Sequence, residues 1–189
     1  MAKTYHGRML LPGTTAERIV GLRLGSHEGS GNIISTVRVA EFAWSLFEPE
    51  EGRFCFNFFD GFLALCAEKN ISVIMGTPTA TPPVWLTERY PEILNANKAG
   101  ALYHHGSRRH YNYNSEMYQR LCTRIVEALA KHYGQHPAIV GWQIDNELNC
   151  ETNEFYSEAD HGALLLISPK GKSPYKLRWL LYQCIFYPA

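Results

Sequence analysis

The chain reads AIVGWQIDNE over residues 138–147, and this stretch decides the predicted fold. Its first part, 138–144, is apolar and typical of a buried strand, and three polar side chains follow at once. Parallel α/β sheets place their sites at the carboxyl ends of the strands. Asp145, Asn146 and Glu147 therefore offer a carboxyl group for proton transfer and an amide to hold a substrate hydroxyl. A solvated turn with no chemical role is the alternative, and the residues alone leave both interpretations open.

Upstream of this stretch, strand and helix patterns alternate. β-Branched residues predict a strand over 33–39, and a short apolar run predicts another over 71–76. Helical spacing of apolar residues predicts the helices, which are expected over 60–70, over 81–86 with proline in its first turn, and from Ser115 as N-cap to residue 133. Gly134 and Pro137 end the last helix. Strands that alternate with helices in this way indicate βα units on a parallel sheet.

Composition excludes several classes of protein. The 189 residues are 46% hydrophobic and 19% charged, as in a globular domain, and 18 basic residues balance 18 acidic ones. This balance argues against a nucleic-acid partner, and no apolar run is long enough for a membrane span. Five scattered cysteines and an N-terminus without an export signal predict reduced thiols and a cytoplasmic protein. Aromatic residues reach 13%, which fits either core packing or stacking on sugars.

The polar strand end at Glu147 resembles the acid/base motif of clan A glycoside hydrolases. The wider chain, over about residues 33–160, resembles glycoside hydrolase family 42, the β-galactosidases. Five further stretches carry this resemblance in the correct order: VRVAEFAWS (37–45), EPEEGRF (48–54), GTPTATPPVWL (76–86), YPEIL (90–94) and GSRRHY (106–111).

The resemblance implies a (β/α)8 barrel and retaining hydrolysis of β-galactosides or galacto-oligosaccharides. By motif, Glu147 matches the proton donor, and Asn146 and Arg108 match substrate-binding residues. Arg38 is expected near the sugar or the nucleophile, with a strand-end salt bridge as the alternative. Burial beside Trp142 is expected to help Glu147 hold its proton. Full-length members of the family are also expected to form homo-oligomers.

No cofactor and no metal are expected. Many members of the family carry cysteines after the His-Tyr pair and in a cluster behind the acid/base segment. Here Asn112 stands at the first of these positions, and Cys150 has no cysteine beside it. Tetrahedral zinc needs about four nitrogen or sulfur ligands. His104, His105 and His110 are close in sequence, but a loop triplet of this kind is more often structural.

Both ends of the chain depart from the family pattern. Residues 1–160 are expected to form the N-terminal part of the barrel and 161–189 an atypical tail. Within the first part, 8–32 lacks the expected strand and helix. Suitable codons for HEGSGN (27–32) encode MKEAG, a helix end, when read one base forward, which favours the hypothesis that about 12–32 is translated out of frame. The tail is a second candidate for such a shift.

Length predicts a truncated barrel. A complete (β/α)8 barrel needs about 200–250 residues, whereas the fourth predicted strand ends near residue 145. About four βα units are therefore expected, without the nucleophilic glutamate that the family carries after its seventh strand. The leading interpretation is an incomplete β-galactosidase-type hydrolase that is inactive alone. The alternatives are a non-catalytic carbohydrate-binding fragment and a pseudogene product without function.

Overall fold

The computed structural model describes residues 35–106, 110–147 and 156–160. Within them three strands, β1 (Thr36–Val39), β2 (Ser72–Gly76) and β3 (Ile139–Gln143), form one parallel sheet in chain order. The helices are α1 (Trp44–Phe47), α2 (Asn57–Glu68), α3 (Val84–Arg89) and α4 (Glu116–Tyr133), with 3-10 turns at Pro78–Ala80 and Pro91–Ile93. The predicted alternation of strands and helices on a parallel sheet is confirmed.

The strand register brings all three carboxyl ends to one edge of the sheet. β1 pairs with β2 from Thr36–Ser72 to Val39–Met75. β2 pairs with β3 from Val73–Ile139 to Gly76–Gln143, with one register shift between Val73 and Ile74. Residues that follow the three strands directly are therefore neighbours in space, although they are far apart along the chain.

The long helix α4 has the ends that the sequence predicts. The Ser115 hydroxyl accepts a hydrogen bond from the Tyr118 backbone N–H at 3.4 Å, as an N-cap does, and Glu116 lies in the positive first turn. At the other end, a Cβ on Gly134 would lie 2.5 Å from the Ala130 carbonyl oxygen. A side chain at this position would force the backbone to shift, and Gly134 is the C-cap of α4, so the predicted stop is confirmed.

Most of the aromatic residues that the structure describes serve packing. One face of the sheet, with Val73 and Met75 fully buried, lies in a core that α2 and α4 share. Phe47 stacks on Phe59 with ring centroids 4.5 Å apart, and Tyr111 stacks on Tyr118 at 4.9 Å. Aromatic pairs of this kind add to the stabilisation from buried area. For these rings, the packing interpretation is correct.

The short helix was predicted too early in the chain. The prediction was 81–86, whereas α3 begins at Val84 with Pro83 as its N-cap. A residue before proline avoids the helical region, so Thr81 and Pro82 are both held out of a helix by the proline that follows each of them. The unusual segments 8–32 and 161–189 lie outside the described residues, and their reading frame stays a prediction. Over the described parts of the chain, no helix is long and apolar enough to cross a membrane.

Candidate active site at the carboxyl edge of the sheet

Three loop segments meet where the strands end. Glu41 follows β1, Thr77 and Thr79 follow β2, and Asp145 lies two residues after β3. All four are polar, and each is at most 2% exposed. Burying polar side chains is costly unless they are hydrogen-bonded, so the partners of these four residues define the site.

Asp145 is the centre of these contacts. Its carboxylate accepts a hydrogen bond from the Thr79 hydroxyl at 2.9 Å and one from the Asn146 backbone N–H at 2.6 Å. Its own backbone N–H donates to the Thr77 hydroxyl oxygen at 2.8 Å. The Tyr118 hydroxyl of α4 donates to the Thr79 carbonyl oxygen. Asp145 thereby links the end of β3 to the loop after β2 and, through Thr79, to α4.

The backbone at this edge is strained. Ala40 has φ 82°, Asp145 has φ 55° and Glu147 has φ 46°, all in the left-handed region. A residue other than glycine costs about 1–3 kcal/mol in such a conformation, which persists only where its surroundings hold it. Asn70, at the end of α2, is the other described non-glycine residue with positive φ. Strain of this kind clusters at functional sites, and here it coincides with the predicted proton donor.

Glu147 and Asn146 lie where the sequence predicts, just beyond a strand. The Glu147 side chain is exposed, whereas Asn146 is partly buried and its Oδ1 lies 3.4 Å from Gln143 Nε2. Gln143 Nε2 also donates to the Asp145 carbonyl oxygen at 3.0 Å. The expected burial of Glu147 beside Trp142 is not observed, since Glu147 is an exposed residue.

Arg38 forms a strand-end salt bridge, which was the alternative to a place near the sugar. Its Nε lies 2.7 Å from Glu41 Oε1, and its side chain stays 48% exposed while that of Glu41 is 3% exposed. Gly76 makes room for Glu41, because a Cβ on Gly76 would lie 2.8 Å from the Glu41 Cβ. The pair leaves part of the guanidinium accessible, so the salt bridge and sugar binding are compatible.

Arg108 lies outside the described residues, so its place relative to Glu147 stays a prediction. Nearby, His105 Nδ1 lies 3.0 Å from the Thr87 hydroxyl, and the rings of His105 and His110 are 5.0 Å apart. Among the residues that the structure describes, no group of three or more His, Cys, Asp or Glu side chains could hold a metal ion.

At Asn112, where many family members have a cysteine, the side chain makes hydrogen bonds. Its Nδ2 donates to the Ser157 hydroxyl at 2.6 Å and to Asp160 Oδ2 at 2.5 Å. Asn114 Nδ2 donates to Asp160 Oδ1 at 2.7 Å. These polar contacts attach the segment 156–160 to the loop before α4.

Sequence reasoning missed the partners of Asp145. The stretch GTPTAT (76–81) supported the family resemblance, but Thr77 and Thr79 were given no role. The rule that pointed to Glu147 also applies here, because both threonines directly follow a buried strand. Applied to β2 as well as β3, it would have marked them as residues of the site.

Comparison with known proteins decides the family. The beta-galactosidase profile of the Glyco_hydro_42 family matches residues 30–165, which is most of the chain. The chain belongs to this family. A beta-galactosidase from Thermus thermophilus is 47% identical over 117 residues, which are 62% of this chain and 18% of that protein. Beta-galactosidase YesZ of Bacillus subtilis is 37% identical over 158 residues, which are 84% of this chain and 24% of the YesZ protein.

Solved structures of the family agree with the fold. A beta-galactosidase from the psychrophilic Marinomonas ef1 superposes with a TM-score of 0.74 at 38% identity, over 85% of this chain and 25% of its own. A beta-galactosidase from Halorubrum lacusprofundi superposes with a TM-score of 0.73 at 34% identity. The described strands are therefore part of a (β/α)8 barrel, as predicted. The chain spans about a fifth of the length of the curated relatives it matches.

Proposed function

We propose that this chain carries the acid/base part of a retaining β-galactosidase. Glu147 gives its proton to the glycosidic oxygen while a carboxylate on the other face of the sugar attacks the anomeric carbon. Water then cleaves the glycosyl-enzyme bond, and Glu147 takes a proton from that water. The observation that carries the proposal is the turn after β3, which exposes Glu147 while Asp145, two residues earlier, is buried.

Substrate binding is assigned to three residues. Asn146 holds a sugar hydroxyl through its amide, next to the proton donor. Arg38 contributes the exposed part of its guanidinium, and Arg108 is assigned by its motif. The substrates proposed are β-galactosides or galacto-oligosaccharides. This proposal is supported by family membership and by the position of Arg38 near the carboxyl end of β1 and of Asn146 beyond the carboxyl end of β3, two strands that flank β2 in one parallel sheet.

The nucleophile is proposed to lie outside this sequence. In the segments that directly follow the strands, the acidic residues are Glu41, Asp145 and Glu147. Glu41 is buried and paired with Arg38, and Asp145 is buried and held by Thr79. Retaining catalysis needs a second carboxylate about 5 Å from the proton donor, on the opposite side of the anomeric carbon. We therefore expect the 189-residue chain to hydrolyse galactosides at no more than background.

A chromogenic galactoside assay on the purified 189-residue chain tests this expectation, with Glu147→Gln as the matched control. We expect wild type and variant to show the same background rate. Turnover that disappears in Glu147→Gln would show instead that the chain is an enzyme on its own. Sequencing the surrounding DNA would add an independent check, since an uninterrupted frame with no compensating insertions or deletions contradicts the frame-shift hypothesis.

A second candidate function is galactose binding without turnover. The accessible part of Arg38 and the exposed Glu147 favour it, because both can contact a ligand in the chain as it stands. Titration with galactose, followed by chemical-shift changes, separates this function from a product with no function at all. We expect shifts at Asn146 and Glu147, and their absence at saturating sugar would favour the third interpretation.

The chain is further proposed to be cytoplasmic. Cys55, Cys66 and Cys122 are unpaired in the structure, and burial raises the pKa of Cys66 to about 11, which keeps it a thiol. Free thiols are usual in reducing compartments. Homo-oligomer formation, no nucleic-acid partner and no bound zinc stay predictions, the last to be checked by elemental analysis of the purified protein.

A further inference from the structure

We propose that Asp145 is a positioning residue, which Thr77 and Thr79 hold in place so that it fixes the turn presenting Asn146 and Glu147 to the sugar. The inference rests on the proposed function for what the turn presents. Its structural basis is separate, because it follows from the contacts of Asp145 with the loop after β2.

Asp145 has both side-chain oxygens and its backbone N–H engaged. Oδ2 accepts from the Thr79 hydroxyl at 2.9 Å, Oδ1 accepts from the Asn146 N–H at 2.6 Å, and the backbone N–H donates to Thr77 Oγ1 at 2.8 Å. The bond to Asn146 fixes the peptide plane between these two residues. Since Glu147 comes next in the chain, the orientation of this plane sets the direction in which Glu147 leaves the strand.

The conformation itself calls for such support. Asp145 and Glu147, on either side of Asn146, both have positive φ, at 55° and 46°. Two non-glycine residues so close together in the left-handed region are unfavourable unless other contacts stabilise them. The anchor is rigid, because Thr77 is 0% exposed, Thr79 is 1% exposed and the Tyr118 hydroxyl of α4 bonds the Thr79 carbonyl oxygen. A buried carboxylate with polar hydrogen donors is well suited to hold a backbone in one geometry.

Amide hydrogen exchange on the 189-residue chain tests the positioning role without any need for activity. In the wild type, the Asn146 amide is expected to exchange at least about tenfold more slowly than an unprotected amide, because Asp145 accepts its hydrogen bond. In Thr79→Val, which removes the hydroxyl at similar volume, exchange at Asn146 and Glu147 should rise about tenfold relative to Val73 and Met75 in the core. Thr79→Ser keeps the hydroxyl and should restore the wild-type ratio.

The matched control is Thr87→Val. Thr87 is 5% exposed, and its hydroxyl lies 3.0 Å from both the Val84 carbonyl oxygen and His105 Nδ1, without a described bond to Asp145. The variant Thr87→Val should change the exchange rates of the Asn146 and Val73 amides by the same factor. If Thr79→Val also changes every amide by one common factor, Asp145 is only a part of the core and the proposal is wrong. Fast exchange of Asn146 in the wild type would overturn it before any variant is made.

Galactose affinity provides the functional arm of the test. Thr79→Val is expected to weaken galactose binding about tenfold, and Thr79→Ser to leave it within about twofold. Unchanged affinity in Thr79→Val, with Asn146 exchanging faster, would contradict a positioning role. If the wild-type chain binds no galactose, the proposed galactose-binding function fails, whereas the exchange ratios still decide whether Asp145 fixes the turn.

Discussion

Two glutamates of this chain, Glu48 and Glu147, are held in opposite ways. Glu48 is 0% exposed, and its carboxylate accepts hydrogen bonds from the Trp44 indole at 2.9 Å, from the Gly52 N–H at 2.7 Å and from Arg124. Before Glu147 the Asp145 carboxylate instead holds the backbone N–H of Asn146, and Glu147 itself is an exposed residue. The Glu48 carboxylate therefore stabilises the fold through its hydrogen bonds. The hydrogen bonds at the end of β3 instead position Glu147 where a ligand can reach it.

Removing the buried carboxylate should have the largest effect on stability. Glu48→Ala leaves Arg124 Nη2, the Trp44 indole N–H and the Gly52 N–H without this acceptor, while Arg124 Nη1 keeps its contact with Glu51. We therefore expect a loss of about 3–5 kcal/mol in the free energy of unfolding. Urea denaturation followed by circular dichroism measures it. The matched control is Glu50→Ala, which breaks an exposed pair with Arg53 and should cost at most about 1 kcal/mol. Equal losses in the two variants would remove the distinction between a buried and an exposed acid.

A smaller loss is expected where β2 meets the loop after β1. Gly76→Ala would place a methyl group 2.8 Å from the Glu41 Cβ and 2.9 Å from its backbone N, so the chain must shift. We expect about 1–3 kcal/mol of destabilisation, as for overpacking in a core. Gly141→Ala on the neighbouring strand has open space around the added methyl group and serves as control. If both substitutions cost the same, close packing at Glu41 is not what requires glycine.

Local patterns in the sequence were enough to predict the three strands and the longer helices, although the short helix α1 (Trp44–Phe47) was not predicted. Ser115 and Gly134 marked the ends of α4 correctly, because caps and stops depend on residues within one helical turn. The strand before Asp145 was predicted from its own apolar run and lies at Ile139–Gln143. The error at α3 is also local, since the two prolines 82 and 83 delay its start to Val84.

The contacts that distinguish the two glutamates could not be predicted in this way. Thr79 and Asp145 are 66 residues apart in the chain, and Glu48 and Arg124 are 76 apart. Such pairs depend on how strands and helices come together, which no periodicity within a segment reveals. The exposure of Glu147 was missed for the same reason, since burial of a strand-end side chain depends on what packs over it.

The smallest expected effect concerns Glu51, which bonds Arg124 together with Glu48. Burial raises the pKa of Glu51, but hydrogen bonds from Arg89, Tyr90 and Arg124 outweigh it, so the pKa is lowered below its usual value of 4.5. A lowered pKa in the folded state means that the ionised carboxylate stabilises the fold above about pH 4.5. That contribution is lost as the pH falls through the folded-state pKa.

Solvent limits its size, because the Arg89 side chain is 61% exposed and that of Glu51 is 19% exposed. We therefore expect Glu51→Gln to cost at most about 1 kcal/mol at pH 7. The difference from wild type should vanish as the pH falls well below 4.5, where the native carboxylate becomes protonated. Urea unfolding at a series of pH values measures it, and salt at about 1 M should shrink the difference at pH 7. A difference that stays constant from pH 7 to strongly acidic solution would mean that Glu51 acts through the shape of its side chain, and that in this network only Glu48 acts through its charge.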